Sequence, residues 1–399
     1  MIVGVPSETL PGEKRVALTP ESVSILKDRM RIVVQTGAGS AAGFSDEAFV
    51  AAGADIVSLR EEVFSAADVV LQVRTYGANK TDDVDLQLLK TDQVVLGFAE
   101  PLEAHNRIEQ VAKTGASLFA VELMPRITRA QSMDALSSMA TIAGYKSVLM
   151  AASKLPRMFP LMMTAAGTVA PARVLVIGVG VAGLQAIATA KRLGAVILGY
   201  DVRPAVREQV ESLGAEFVDL GLETDDAETT GGYAKEQEAE FYRRQQSALS
   251  EVIATCNVVI TTAAIPGQRA PVLIPTQAVA AMAPHSIILD LAAERGGNCE
   301  LTQVGEEVEY QGVKIFGPAN LPSSVPYHAS QMYSNNLAAF LVHLLDEENQ
   351  FQIDNDDEIT SGTLVTHRGK IVNSNVLAAM SQTITVEPTK TSAEPTKEG

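Results

Sequence analysis

The sequence predicts an α/β protein of two doubly wound domains joined by long helices, and three observations carry that prediction. At 399 residues the chain is long enough for two or three domains. Short β-branched runs alternate with amphipathic stretches, which implies parallel strands linked by crossover helices. The alternation then restarts near Arg173, so a second sheet follows the first.

In the first block the predicted strands are Ile2–Val5, Ile32–Gln35, Val69–Val73, Val94–Phe98 and Ser117–Val121. Helices are expected from Pro20 to near Arg29, from Ser45-Asp46-Glu47 onward, and from Glu103 to Lys113. Proline suits a first helical position and serine an N-cap. A long helix is expected from Ala130 to Leu155. The second block predicts strands Val174–Ile177, Val196–Tyr200, Glu216–Val218, Val258–Thr262, Ile287–Leu291 and Val313–Phe316. A further helix, Tyr327–Leu345, would carry the chain back. Residues 1–140 plus 326–384 would then form a discontinuous first domain and 145–325 the second, with the ligand in the cleft between them. Residues 385–399, rich in Pro, Thr, Glu and Lys, read as a disordered tail.

Composition narrows the function. The chain is 46% apolar and 20% charged, the balance of a soluble globular protein, with a formal net charge of −17. Such a surface repels phosphate backbones and anionic lipid heads, which argues against nucleic-acid binding and polybasic membrane docking. Two cysteines, Cys256 and Cys299, make no disulfide framework and point to a reducing cytoplasm. The amino terminus reads directly as a strand, so no leader is expected. The uncharged stretches are broken by proline, glycine or polar residues, so no membrane span is expected.

The most specific local pattern is Arg173-Val-Leu-Val-Ile-Gly178-Val179-Gly180-Val181-Ala-Gly183, a buried strand, then G-x-G-x-x-G, then a helix to Leu193. Gly178 permits the tight turn, Gly180 lets backbone N–H groups approach a pyrophosphate, and Gly183 lets helix pack on strand. An acid closes the next strand: Asp201, where a carboxylate accepts from a ribose 2′-hydroxyl and repels a 2′-phosphate. The pattern therefore predicts a Rossmann-like site that favours NAD(H) over NADP(H). Val202 and Arg203 follow it into the same pocket, and Arg203 weakens that preference.

Two polar segments lie where a nicotinamide would sit. Arg126 enters a loop, and Gln131, Asp134 and Ser138 follow an i, i+3, i+7 spacing that shares one helix face, with Ser137 beside them. Thr128-x-x-Gln131 reads equally as a capping box. The insertion 219–246 holds eight acidic residues and one lysine between Asp219 and Glu240, around Gly232-Tyr233. It suits a solvated excursion or a lid over a ligand. The histidines, His105, His285, His328, His343 and His367, show no metal-ligand spacing, so no metal is expected and chemistry without a general base is.

The opening Val5-Pro-Ser-Glu-Thr-Leu-Pro-Gly-Glu-Lys-Arg15-Val-Ala-Leu-Thr-Pro20 resembles the alanine dehydrogenase/transhydrogenase family. Glu122-Leu-Met-Pro-Arg126-Ile-Thr-Arg-Ala-Gln131-Ser-Met-Asp134, Met163-Thr-Ala-Ala-Gly-Thr168, Gly178 to Leu193 and Gly296-Gly-Asn-Cys299 are similar to the NAD(H)-binding component of its proton-translocating members. Similarity covers nearly all of residues 1 to 380. Alanine dehydrogenases need a lysine and a histidine, and Arg74 and Gly97 or Phe98 stand at the resembling places; only Arg15 is retained.

The resemblance implies direct hydride transfer from NADH on this chain to NADP⁺ on a partner subunit. It places Arg126, Gln131, Asp134 and Ser137 around the nicotinamide. Asp201 would take the adenosine ribose, Gly232 and Tyr233 would belong to a mobile loop, and Ala264 and Pro266 would lie beside the cofactor. It also implies a homodimer, cytoplasmic and attached to the inner membrane through a membrane-embedded proton-channel subunit that carries or accompanies the NADP(H)-binding domain. A soluble amino-acid dehydrogenase with an altered substrate is the alternative, and a non-enzymatic NAD(H)-responsive module a third.

Overall fold

A computed structural model describes residues 1–81, 83–222, 239–265 and 267–384. Gly232, Tyr233, Pro266 and the stretch 385–399 lie outside the described residues.

Two parallel sheets organise the chain. In the first, strands run 55–57, 31–35, 2–5, 69–74, 94–98 and 117–120, all parallel, and 364–367 and 370–371 add antiparallel to the last edge. In the second the order is 216–217, 196–200, 173–177, 258–261, 287–290 and 313–316, with 307–310 antiparallel at the far edge. Numbered within each block, the six parallel strands of both sheets follow the order 3-2-1-4-5-6 of a doubly wound dinucleotide fold. Central strands such as Val69–Arg74 and Val258–Thr261 are buried on both faces, which is why they read as unbroken apolar runs.

The expected helix from Ala130 is two elements. Thr128–Met133 is a separate 3₁₀ segment, and the α-helix is Ala135–Lys154. Asp134 causes the break. Its ψ of 82° is not helical, and its carboxylate accepts from Ser137 N at 2.8 Å and Ser137 Oγ at 2.5 Å, making it the N-cap. The anticipated Thr128 capping box is absent, because Ile127 occupies the cap position and no side chain caps there. The first helix is also shorter than expected, Pro20–Leu26, since the chain leaves helical hydrogen bonding in the turn after Lys27.

Helix Ala135–Lys154 starts on the first sheet and ends on the second. It crosses helix Val181–Arg192 at Gly144, where a Cβ would lie 2.1 Å from Ala182 O. Only glycine allows that approach. A second tie spans the cleft: Arg295 Nη2 bonds Glu100 Oε2 at 2.9 Å, and Arg295 Nη1 bonds Glu103. An isolated hairpin, Met162–Thr164 with Gly167–Val169, projects from the body with Met163 81% exposed. Among the described residues no helix is long and apolar enough to cross a membrane.

Candidate functional site

The switch point of the second sheet lies between strands Arg173–Ile177 and Val258–Thr261, where α/β folds bind ligands. Gly178 turns there with φ +89°, and a Cβ on it would sit 2.8 Å from Ala263 N. At Gly183 a Cβ would sit 2.0 Å from Gly178 O, so the helix rests directly on the loop. Gly180 is the N-cap of Val181–Arg192 and contributes no side-chain cap, leaving the first N–H groups of a 12-residue helix without intrahelical acceptors. A Cβ on Gly180 would meet nothing within 4 Å. Open space therefore lies where an anion would meet the positive end of the helix.

Two further walls close this groove. Asp201 ends strand Val196–Tyr200 and accepts Val179 N at 2.7 Å, tying the glycine turn to the neighbouring strand. Opposite, Asn298 pins the loop after Val258–Thr261: its Oδ1 accepts Ala263 N at 3.1 Å and its Nδ2 donates to Ala263 O at 2.8 Å. Asn298 is held in turn by buried Asp290, whose carboxylate accepts Asn298 N, Cys299 N, Ala292 N, Thr261 Oγ1 and Thr302 Oγ1. Gly296 and Gly297, at φ +94° and +80°, make the turn that brings these donors to one carboxylate. Sequence reading misses Asp290 and Asn298 as site builders; the Gly296-Gly297 pair is the signal within reach.

The cavity so formed, about 210 Å³, is lined by Gly178, Gly180, Val181, Asp201, Val202, Arg203 and Ala264 among the predicted residues, and also by Arg126. Val179 and Gly183 stand behind it as supports. Gln245, also unpredicted, lines it with Nε2 on Tyr200 Oη at 2.9 Å. A second, more polar cavity of about 470 Å³ is lined by Gln131, Asp134, Ser137 and Ser138, and again by Arg126. The predicted polar group therefore does converge, with Gln131 exposed at its mouth. Arg126 also borders a third cavity of about 420 Å³ in the cleft, with Glu100, Glu122, Ala264 and Arg295. No lysine or histidine among the described residues lines any of the three.

Glu122 is electrostatically unusual. Its Oε1 accepts Ala99 N at 2.8 Å and Glu100 N at 2.6 Å, while Oε2 is enclosed without a partner. Burial, followed by the nearby Glu100 carboxylate, pushes it up from 4.5 to about 7. The folded state thus holds a proton the unfolded chain has released above pH ~4.5. Its stabilising contribution is complete below that pH and is lost as pH rises through 7. Glu8, which desolvation raises to about 8, acts in the same direction. The thermal midpoint is expected to fall between pH 5 and pH 8, and to fall less in Glu122→Gln; identical slopes would show that Glu122 does not hold that proton.

The switch point of the first sheet is filled by its own side chains. Arg15 lies in a fork with Glu13, Nε–Oε1 2.7 Å and Nη2–Oε2 2.5 Å, and Nη2 also meets Asn320 Oδ1 at 3.1 Å. Burial alone would raise Glu13; the hydrogen bonds and charge of Arg15 outweigh it and bring it to about 2. Arg74 stands 3.7 Å from Glu100 and 3.8 Å from Glu13. Glu13 thus occupies the Nε–Nη2 edge of Arg15, the edge that pairs with a carboxylate through two bonds.

Comparison with known proteins gives a consistent result. Residues 4–143 match the family model "Alanine dehydrogenase/PNT, N-terminal domain", and residues 147–374 match "Alanine dehydrogenase/PNT, C-terminal domain". The chain is 47% identical over 378 residues to an NAD(P) transhydrogenase subunit alpha polypeptide of Rhodospirillum rubrum, covering 94% of this chain and 98% of that one. Among solved structures it is similar to a transhydrogenase from Sinorhizobium meliloti, with TM-score 0.81, 39% identity, and 94% and 99% of the two chains covered. An L-alanine dehydrogenase follows with TM-score 0.78, 25% identity, and 96% and 99% covered.

Proposed function

The chain belongs to the alanine dehydrogenase/PNT family, and from that membership we propose that it is the NAD(H)-binding component of a proton-translocating transhydrogenase. The observation that carries this reading is the meeting of two cavities at Arg126: a groove built on the glycine turn on one side, and on the other a polar pocket with Gln131 at its mouth. Bound NADH would supply a hydride that passes directly to NADP⁺ on a partner subunit. This chain's residues need then only hold, orient and keep dry one of two apposed rings.

In this reading residues 1–140 with 326–384 form one domain and 145–325 the dinucleotide-binding one. The glycine turn and the start of helix Val181–Arg192 hold the pyrophosphate, and Asp201 takes the adenosine ribose. Arg126 and Asp134 orient the carboxamide, Ser137 fixes Asp134, and Gln131 faces the partner's nucleotide. Ala264 and Pro266 flank the cofactor, and Gly232 and Tyr233 close over it. NADPH should form when the chain is mixed with NADH and an NADP⁺-loaded partner domain, and not without the partner. Ammonium-dependent reduction of a keto acid by this chain alone would overturn the assignment.

The partners implied are an NADP(H)-binding domain, a membrane subunit that conducts protons, and a second copy of this chain, on the cytoplasmic side of the inner membrane. The hairpin supports the second copy. A lone two-stranded hairpin is marginally stable in water, and this one displays Met163, Leu161 and Val169. Met163→Asp is expected to halve the mass measured by light scattering; an unchanged mass would place the dimer contact elsewhere.

A further inference from the structure

Gln131 stands on the 3₁₀ segment Thr128–Met133, which has little to hold it from within. No side chain caps its start, and 3₁₀ turns make poorer hydrogen bonds than an α-helix. Its position is set from outside, by apolar packing of the buried Ala130 and Met133 and by two polar tethers that flank Gln131. On one side Asn336 Nδ2, from helix Pro326–His343, donates to Ser132 O at 2.8 Å. On the other, Arg129 Nη2 pairs with Asp357 Oδ1 at 2.6 Å. Asp357 Oδ2 in turn accepts Thr360 N at 2.8 Å, making it the N-cap of helix Glu358–Thr363, and meets His343 Nε2 at 2.9 Å. That short helix runs beneath the loop that leads to Arg126: a Cβ on Gly362 would lie 3.5 Å from Pro125 Cδ and 3.8 Å from Leu123 O.

We propose that Asp357 is a positioning residue for the hydride step, a pin that acts through Arg129 to fix where Gln131 stands. The 3₁₀ segment and the helix that supplies Met332 to the same polar pocket meet at this one carboxylate. Burial would raise Asp357, but the Thr360 N–H, His343 and Arg129 outweigh it and hold the group well below the usual carboxylate range. The pin therefore stays charged at neutral pH. An ion pair whose arginine is half exposed contributes little to folding, whereas the apposition of two rings tolerates little displacement. The effect of Asp357 accordingly falls on the rate of hydride passage rather than on stability or on cofactor binding.

This inference rests on the chain being the NAD(H)-binding component, and the unaltered chain is measured first so that the two can fail separately. Asp357→Asn keeps an acceptor for the helix cap and removes the charge that faces Arg129. Arg129→Gln breaks the same contact from its exposed end, where the fold is not at stake. Hydride exchange with the NADP⁺-loaded partner should slow about tenfold in each variant, with NADH affinity changed less than about twofold. The double variant should be no slower than the slower single, because both substitutions remove one contact. Amide hydrogen exchange across 128–133, read on the full chain without partner, should speed up in all three. Undiminished exchange rates in both single variants, a parallel loss of NADH affinity, losses that multiply in the double variant, or unaltered amide exchange would each overturn the pin and leave the parent reading standing. No hydride exchange by the unaltered chain with its partner would overturn both.

Discussion

Gly183→Ala is expected to weaken NADH binding at least a hundredfold and to cost the fold about 1–3 kcal/mol, the range of overpacking in a close-packed interior. The new methyl would stand 2.0 Å from Gly178 O, an oxygen that also accepts Thr262 Oγ1 at 2.7 Å. Helix Val181–Arg192 cannot slide away freely, because Gly144 presses on Ala182 from the other side. The clash therefore distorts the turn and moves the helix N-terminus off the anion position. Gly180→Ala is the control. Its φ is −83° and its Cβ would meet no protein atom, so stability should stay unchanged while the methyl intrudes on ligand space. Thermal melts with NADH titrations on both variants check the pair. Equal destabilisation by the two, or undiminished binding in Gly183→Ala, would contradict this account of the loop.

Gln131→Asn is expected to slow hydride exchange with the NADP⁺-loaded partner by about 10–100-fold while changing NADH affinity less than about twofold. Displacement near 1 Å can cost two orders of magnitude in a step that depends on apposition. Gln131 is exposed at the mouth of the polar cavity, at a distance from the glycine turn, and shortening its side chain withdraws the amide without unsettling Asp134 or Ser137. Stopped-flow exchange beside equilibrium titration separates the two effects. Parallel losses in rate and affinity would reduce Gln131 to a residue that shapes its 3₁₀ segment.

How far these features can be read beforehand depends on whether their signal is local. Strands such as Val94–Phe98 and Val196–Tyr200 stand out because burial on both faces demands apolar runs. The glycine turn is legible because three backbone constraints fall within six residues. Edge strands Asp55–Val57, Glu307–Tyr310 and Lys370–Ile371 are short and half exposed, so nothing in their residues sets them apart from loops. The hairpin Met162–Val169 carries no burial pattern because none of its residues is buried. Asp134 stands out for its chemistry, yet in the fold it also ends one helix and begins another. Asn298 stays hidden because its side-chain partners lie 27 to 35 residues away, and Asp290 because its tie to the neighbouring strand, through Thr261, spans 29 residues, beyond any window of periodicity. The closed pair Glu13–Arg15 is likewise half legible: the sequence marks the arginine but not its occupation.

The long helix has a metric consequence. Asp134 caps its start and Gly144, ten residues later, bears on Ala182 beside the glycine turn. At 1.5 Å per residue that is about 15 Å of rigid rod between the polar pocket and the pyrophosphate end. The chain thus carries a built-in ruler whose graduations are peptide units. Side-chain replacements along it can adjust fit, but inserting one residue would both lengthen the rod and swing Asp134 round by about 100°. Span between the two ends is therefore quantised by backbone length, and substitution alone cannot retune it.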